Sequence, residues 1–238
     1  MINEKEFLSV LDFGINKHFK GKTEKEKDYT RKKGEILVTW FKELEKSNYF
    51  KELNETEIKL INEKLDNTMN NFEQVRRLYL SLINMVMTSE HNKPKTEINF
   101  VDEFGNNLTI HVNQMIIIFG WFYSSLCEVM KHLLMSIIDF KKISNTSPTG
   151  LGDIKRIFNK KFPQINLLND IDTWVRNSFV HVDFELSEVE IIYYESKTKK
   201  FLKLENFFWL IIYADLTTYV IMSGIFYYLN KVKMSINL

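Results

Sequence analysis

The chain has 238 residues, of which 45% are hydrophobic and 14% aromatic, so it holds enough apolar side chains for one large domain or two small ones. Its formal net charge of +1 excludes a global attraction to nucleic acid, so a polyanion would have to bind at a local basic patch. The single cysteine, Cys127, excludes a disulfide framework or a cysteine metal site within one chain, and we expect a protein of the reducing cytoplasm.

Three amphipathic helices are predicted in the first part of the chain. Apolar residues at helical spacing predict the first helix over residues 4–20. Thr23–Glu26 and Asn54–Glu57 have the spacing of capping boxes, which predict the starts of the second and third helices. We therefore expect an N-terminal helical segment over residues 1–92.

A change in the spacing of apolar residues predicts a second segment, over residues 93–238. We expect the two segments to pack as one unit. Apolar residues alternate with polar ones over residues 96–112, on either side of a turn at Gly105-Asn106-Asn107, and this predicts a β-hairpin. The chain then returns to a strongly apolar helical pattern over residues 113–142.

Three further helices and a set of short strands complete the prediction. A short helix is expected over residues 153–158, and another from about Asn166 to His181. Short strands are expected between Phe184 and Leu204, and a last helix from about Asn206 to Lys231. The predicted fold class is mostly α, a helical bundle with small β-hairpin insertions.

Two apolar stretches, over residues 115–140 and 207–229, approach the length of a membrane span. The first contains Glu128 and Lys131, and the second contains Asp215, and each charge would be costly at the centre of a bilayer. We expect buried bundle helices and no membrane association. The polar, acidic N-terminus is unlike an export signal, which again predicts a cytoplasmic protein.

Three polar side chains lie within six residues of one another: Arg176, Asn177 and His181. On a helix, Asn177 and His181 share a face and Arg176 lies on the adjoining strip. A guanidinium fork, an amide and a titratable imidazole together favour chemistry on a phosphate. The structural alternative is that Arg176 pairs with Asp172 or Asp183, while His181 is stabilised by the dipole at the end of its helix.

This stretch resembles the signature of the HEPN (higher eukaryotes and prokaryotes nucleotide-binding) superfamily, Arg-x4-His ribonuclease type. That signature has an arginine, a polar residue that is often asparagine, and a histidine near the end of an interior bundle helix, which Arg176, Asn177 and His181 match. The resemblance extends over roughly residues 114–233. It implies a helical bundle that dimerises and, in active members, cleaves RNA without a metal or other cofactor; other members lack the motif or serve as partners of nucleotidyltransferases.

The chemistry of the residues agrees with that implication. In metal-free RNA cleavage the ribose 2′-OH attacks its own phosphate, so the protein must move protons and stabilise an anionic phosphorane. His181 can move a proton and Arg176 can hold the oxygens, but one histidine can hardly serve as both base and acid. A two-fold dimer would supply two of each.

The sequence therefore predicts a metal-independent endoribonuclease with a composite site at a homodimer interface. By analogy alone, such an enzyme is a toxin or antiviral effector with a regulatory partner or antitoxin. The alternative, from another class, is a non-catalytic HEPN-like helical module that binds a protein or a nucleotide.

Supporting residues are predicted outside the motif. In some members of the family a charged residue of the partner helix supports the motif, so Glu128 or Lys131 could have this role; exposure to solvent is the alternative. A metal site built from Asp170, Asp172 and His181 is disfavoured, because the two aspartates fall on different faces of the predicted helix.

Two lysine-rich runs could follow an RNA backbone, or could simply be solvated surface. The first lies upstream of the motif and contains Lys155, Arg156, Lys160 and Lys161, preceded by Lys141 and Lys142. The second lies downstream and contains Lys197, Lys199, Lys200 and Lys203.

Overall fold

A computed structural model describes residues 3–18, 23–87, 97–101, 107–187 and 190–236. Within them lie eight helices and five strands, and the helices account for most of the residues, so the predicted mostly α class is confirmed. The helices are α1 (Glu4–His18), α2 (Glu24–Lys46), α3 (Glu55–Met87), α4 (Val112–Ile137), α5 (Phe140–Ser144), α6 (Leu151–Lys161), α7 (Thr173–His181) and α8 (Leu204–Ile236).

Both predicted capping boxes form. The Thr23 hydroxyl accepts from the Glu26 amide at 3.3 Å, and the Glu26 carboxylate accepts from the Thr23 amide at 2.7 Å. The same reciprocal pair joins Asn54 and Glu57, at 2.9 and 3.0 Å. These local hydrogen bonds satisfy amides that have no partner inside a helix, which is why α2 and α3 start where the sequence predicts.

The strands form two antiparallel sheets. β1 (Glu97–Val101) pairs with β2 (Asn107–His111) in the predicted hairpin, with Ile98 opposite Ile110. Most of the predicted turn, and the predicted segment boundary at residues 92 and 93, lie outside the described residues. β3 (Phe184–Leu186), β4 (Glu190–Glu195) and β5 (Thr198–Lys203) form the second sheet in sequence order, with β4 in the middle.

The prediction of one helix over residues 113–142 is wrong at its C-terminal end, because the chain leaves the helix after Ile137. The Ile137 carbonyl accepts from the Lys51 amide at 2.9 Å, and the Asp139 amide donates to the Tyr49 carbonyl at 2.8 Å. The backbone groups of Ile137 and Asp139 therefore bond to a neighbouring segment, and α5 begins separately after the Asp139 cap.

The prediction of a helix from about Asn166 is also wrong, because α7 begins only at Thr173. Lysine side chains donate to four of the six backbone carbonyls of residues 166–171. Lys33 Nζ donates to the Asn166 and Leu167 carbonyls at 3.1 and 2.8 Å. Lys155 Nζ donates to the Asn169 and Ile171 carbonyls at 3.3 and 2.8 Å. Four carbonyls are thus satisfied without helical amides, so the segment forms turns.

The chain divides into two compact units. Unit 1 comprises residues 1–67, 126–171 and 213–238, and unit 2 comprises residues 68–125 and 172–212. In unit 1 the apolar faces of α1 and α2 are buried with the later part of α8. Aromatic rings make up much of this core. The rings of Trp40 and Phe158 pack edge to face with centroids 4.2 Å apart, and the rings of Phe50 and Tyr228 stack with centroids 4.2 Å apart.

The core of unit 2 is a second aromatic cluster. Phe179 of α7 stacks on Phe207 of α8 with centroids 5.3 Å apart, and it lies 4.4 Å from the ring of Phe184 in β3. Phe119 of α4 meets Phe208 edge-on at 5.8 Å. These aromatic rings therefore join four parts of unit 2: the first half of α4, α7, the three-stranded sheet and the start of α8.

Helix α8 is long and apolar enough over residues 204–233 to cross a membrane, by length and composition alone. However, 78% of its most apolar window is buried inside the protein, as expected for the core helix of a folded bundle. Asp215, Thr217 and Thr218 are buried within it, so its middle carries polar groups that a lipid environment would penalise.

Candidate functional site

The motif helix α7 starts at a well-formed cap. Asp172 Oδ1 accepts from the amides of Trp174 at 2.9 Å and Val175 at 3.1 Å. This carboxylate satisfies two of the first amides of the helix, which a short helix of nine residues needs in order to be stable. Asp172 therefore has a capping role at the start of α7.

Two tyrosines of unit 2 hold the cap in place. The buried Tyr123 hydroxyl accepts from the Asp172 amide at 2.8 Å and donates to the Asp172 carbonyl at 3.0 Å. The Tyr193 hydroxyl donates to Asp172 Oδ2 at 3.2 Å. Burial, together with the adjacent carboxylate, raises the pKa of Tyr193 to about 12, so it remains a donor through the physiological range.

The inner face of α7 is held by close packing against α4. Val175, Ser178 and Phe179 are buried, and the ring of Phe179 lies directly over Gly120. A Cβ atom on residue 120 would lie 1.9 Å from Phe179 Cδ1, far inside van der Waals contact. Only glycine lets the two helices approach this closely.

Arg176 and Asn177 are both half-buried, and they contact each other. Arg176 Nη1 donates to Asn177 Oδ1 at 2.8 Å, and the Arg176 carbonyl accepts from Ser124 Oγ at 3.3 Å. The amide side chain therefore orients the guanidinium. Asn177 is thus a positioning group for Arg176, whereas from the sequence we expect it to orient the imidazole or to donate to the phosphate.

His181 lies in the last turn of α7 and is exposed to solvent. It shares a helix face with Asn177, four residues earlier. Two apolar side chains on the same outer side of the helix are also exposed, Trp174 by 39% and Val180 by 44%. The outer side of α7 thus combines a titratable imidazole with apolar surface.

Arg176 and His181 point in different directions within one helix. Five residues at about 100° each make about 500°, or 140° after a full turn, so their side chains diverge around the axis. The hydrogen bond to Asn177 nevertheless draws the guanidinium of Arg176 towards the face that Asn177 shares with His181.

The residue after His181 has an unusual backbone conformation. Val182 caps α7 with φ 56° and ψ 36°, in the left-handed region, and it is 71% exposed. Its amide and that of Asp183 both donate to the Ser178 carbonyl, the latter at 2.8 Å. A β-branched residue rarely adopts this conformation, so the chain is strained immediately beyond the candidate catalytic histidine.

The predicted supporting residues Glu128 and Lys131 lie on α4 within unit 1. They form an ion pair with each other, and His132 Nε2 lies 3.8 Å from the same carboxylate. Both members of the pair are partly shielded from solvent, with exposures of 33% for Glu128 and 15% for Lys131. The Glu128–Lys131 ion pair lies within one helix, as in ordinary stabilising pairs three or four residues apart.

The upstream basic run makes several structural contacts. Lys155 donates to the loop carbonyls described above, and Arg156 pairs with Asp153. Lys161 Nζ lies 5.5 Å from the centre of the Tyr49 ring, and Lys160 is exposed. This distribution of contacts favours a role in stabilising unit 1 for Lys155 in particular.

Sequence reasoning did not find the groups that hold α7. Tyr123 and Tyr193 are separated from Asp172 by 49 and 21 positions, and no local pattern links residues so far apart. The cap itself had a local signal, because aspartate is a favoured N-cap residue, but the apolar pattern suggested an earlier helix start.

Among the described residues, no group of three or more histidine, cysteine or acidic side chains is arranged to hold a metal ion. Comparison of the chain with protein-family models, with curated proteins and with solved structures finds no match in any of the three. Hypotheses about function therefore rest on the residues and geometry described above.

Proposed function

We propose that this protein is a metal-independent endoribonuclease of the HEPN type, in which Arg176, Asn177 and His181 of two copies form one composite site. The observation that carries the proposal is the arrangement on α7. An exposed imidazole and an asparagine share one face, and the asparagine orients the half-buried guanidinium next to it.

The proposed reaction is a transesterification. The 2′-oxygen of a ribose attacks the adjacent phosphorus while its proton passes to one imidazole. The bond from phosphorus to the 5′-oxygen breaks, and that oxygen takes a proton from a second imidazolium. The products are a 2′,3′-cyclic phosphate and a free 5′-hydroxyl. Arg176 stabilises the phosphorane because its fork donates to the oxygens on which charge accumulates.

Two features favour a dimer as the active form. A single His181 cannot hold a proton and accept one at the same time, so the proposed reaction needs two imidazoles. In addition, Trp174 and Val180 are exposed beside His181, and the α4 residues Ile118 and Trp121 of the same unit are 50% and 57% exposed. Association of two copies would remove this apolar surface from water.

The biological setting is part of the same proposal and rests on analogy. A cytoplasmic RNase of this kind would act as a toxin or an antiviral effector, and its activity would require control by a regulatory partner or antitoxin.

The test is RNA cleavage in EDTA, comparing the wild-type protein with His181→Ala. We expect cleavage by the wild type with 2′,3′-cyclic phosphate ends, and a loss of roughly 100- to 10,000-fold in the variant, the usual contribution of a proton-transfer group. His132→Ala is the matched control, because His132 is also an exposed helical histidine, with a side chain 55% accessible. It should cleave like the wild type.

Equal cleavage by the wild type and His181→Ala, or cleavage that needs a divalent ion, would contradict the proposed mechanism. The second candidate function is a non-catalytic helical module that binds a protein or a nucleotide. It is favoured by the exposed apolar residues of unit 2, since Trp121 and Trp174 are side chains that binding surfaces commonly use. Tight binding of a partner without any RNA cleavage would support the module.

A further inference from the structure

The second basic run lies on the three-stranded sheet of unit 2, and the register of the strands decides which side chains share a face. Phe201 is opposite Ile192, and Lys199 is opposite Tyr194. Directly opposed residues of antiparallel strands project to the same face, and alternate residues along one strand do so too. Lys199, Phe201 and Lys203 therefore form a row along β5, beside Tyr194 and Ile192 of β4.

This face of the sheet is directed away from the core of unit 2. The opposite face carries Ile191 and Tyr193, which are buried, whereas Phe201 is 61% exposed. Lys199 Nζ lies 5.8 Å from the centre of the Phe201 ring. An aromatic ring is thus held open to solvent with an ammonium group beside it, on a regular strand rather than on a mobile loop.

The acidic and basic side chains on this face lie on different strands. The acidic side chains lie towards β3 and the start of β4, where Glu185 is 3.9 Å from Lys199 and Glu190 is opposite Lys203. β5 itself, from Thr198 to Lys203, contains lysines but no acidic residue. The β5 edge is therefore basic, and the two lysines of the row stand on either side of the ring.

The hairpin that presents this row has a turn of unfavourable sequence. Ser196 and Lys197 both have positive φ angles, 48° and 72°, as in a two-residue turn where asparagine and glycine are preferred. Lys197, at the second position of the turn, places another cation at the tip of the hairpin, next to Lys199. Its positive φ angle strains the backbone.

We propose that the row of Lys199, Phe201 and Lys203, with Tyr194 beside it, binds single-stranded RNA. A base stacks on the exposed ring of Phe201, and the lysines contact the phosphates on either side of it. Aromatic side chains flanked by cations bind single strands in this way because every base has a face to stack and every nucleotide a charge to neutralise. The choice of RNA as the ligand rests on the proposed nuclease function, for which this surface would hold the substrate.

A protein ligand fits this surface less well. The exposed ring is a single one and lies between cations, whereas protein interfaces are depleted of lysine at their centre. Edge lysines also oppose the addition of another strand to β5.

The experiment measures binding separately from cleavage. Fluorescence anisotropy of a labelled, unstructured single-stranded RNA oligonucleotide is followed in a His181→Ala background, so that the RNA is not consumed. Phe201→Ala should weaken binding by roughly five- to a hundredfold, the range reported by alanine substitution of stacking rings. Phe201→Tyr should restore binding, because it keeps the ring.

Phe13→Ala is the matched control, since Phe13 is 69% exposed on α1 and should have no effect. Replacing Lys199 and Lys203 together by glutamine should make the salt dependence shallower, by about 0.7 in the log–log slope for each lost phosphate contact. The control for charge is the Lys32→Gln, Lys59→Gln double variant, in which both replaced lysines lie on exposed helical positions.

Unchanged RNA affinity in Phe201→Ala, or an equal loss in Phe13→Ala, would overturn the proposal. A change confined to self-association or protein binding would also overturn it. These outcomes are independent of catalysis. If the wild type binds RNA through Phe201 but never cleaves it, the nuclease proposal fails and the RNA-binding proposal stands. If the wild type cleaves RNA and Phe201→Ala binds RNA with unchanged affinity, the nuclease proposal stands and the RNA-binding proposal fails.

Discussion

Val182 shows at the scale of one residue how the end of α7 is built. The left-handed conformation lets two successive amides reach the Ser178 carbonyl, and so the helix ends sharply after His181. Glycine is the usual residue at such a position, because a side chain there crowds the backbone at a cost of about 1–2 kcal/mol. The chain keeps an exposed valine instead.

Val182→Gly should therefore stabilise the protein. The relief of strain exceeds the additional entropy that glycine has in the unfolded chain, and the expected net gain is about 0.5–1 kcal/mol. For a chain of 238 residues this corresponds to a rise of roughly 1–4 °C in the melting temperature. Thermal unfolding followed by circular dichroism measures the change.

Val180→Gly is the control for this prediction. Val180 is also an exposed valine, but it lies within the helix, where glycine is less favourable by about 0.5 kcal/mol. The two substitutions should shift the melting temperature in opposite directions. A decrease for both would show that Val182 makes contacts that outweigh its backbone strain.

At the scale of elements, the position of α7 depends on its contact with α4. Phe179 lies over Gly120, and Tyr123 and Ser124 of α4 bond to the backbone of α7 at Asp172 and Arg176. One face of α4 therefore supplies both the space and the hydrogen bonds that hold the motif helix.

Gly120→Ala should separate these helices. Alanine is the better helix former by about 1 kcal/mol. However, the added methyl group would overlap with atoms of the Phe179 ring, and overpacking of this kind costs about 1–3 kcal/mol. We expect lower stability in urea unfolding and reduced RNA cleavage. Gly150→Ala is the control, because no atom lies within 4 Å of a Cβ built there.

A Gly120→Ala variant with higher stability and full cleavage would mean that α7 is not held by this contact.

The same elements show what could be predicted from the sequence. Helices α2 and α3 start at the reciprocal side-chain caps of Thr23 and Asn54. Each cap involves residues within a stretch of four, and both helix starts were predicted correctly. The C-terminal end of α4 depends on Lys51, and the start of α7 depends on Lys33 and Lys155. The partners of these lysines are distant in sequence. The helical spacing of apolar residues continues past the points where these helices begin or end. Periodicity alone therefore predicts helices that are too long.

The motif residues illustrate the same limit. Arg176, Asn177 and His181 could be singled out because they are neighbours on one short helix. Phe201 was not singled out, because only the structure shows that the face of β5 that it shares with Lys199 and Lys203 is exposed to solvent.

At the scale of the whole molecule, the proposed composite site makes activity a property of the dimer. If His181 of both copies is required, a heterodimer of wild type and His181→Ala is inactive. Refolding the wild type with a tenfold excess of His181→Ala should therefore lower cleavage per wild-type chain by about tenfold, since most wild-type chains then have an inactive partner. Initial rates of RNA cleavage measure the effect.

A tenfold excess of His132→Ala is the control, and it should not suppress the wild type. Unchanged activity per wild-type chain in the presence of excess His181→Ala would contradict a shared site and indicate that each protomer works alone.

The division into two units has a consequence for how the protein is made. Unit 1 needs residues 213–238, which follow every residue of unit 2, and unit 2 needs residues 172–212, which follow the middle segment of unit 1. Neither unit can be completed while the chain is only half synthesised, and no single cut yields either unit whole. The unit that carries α7 therefore cannot be complete until translation has passed residue 212.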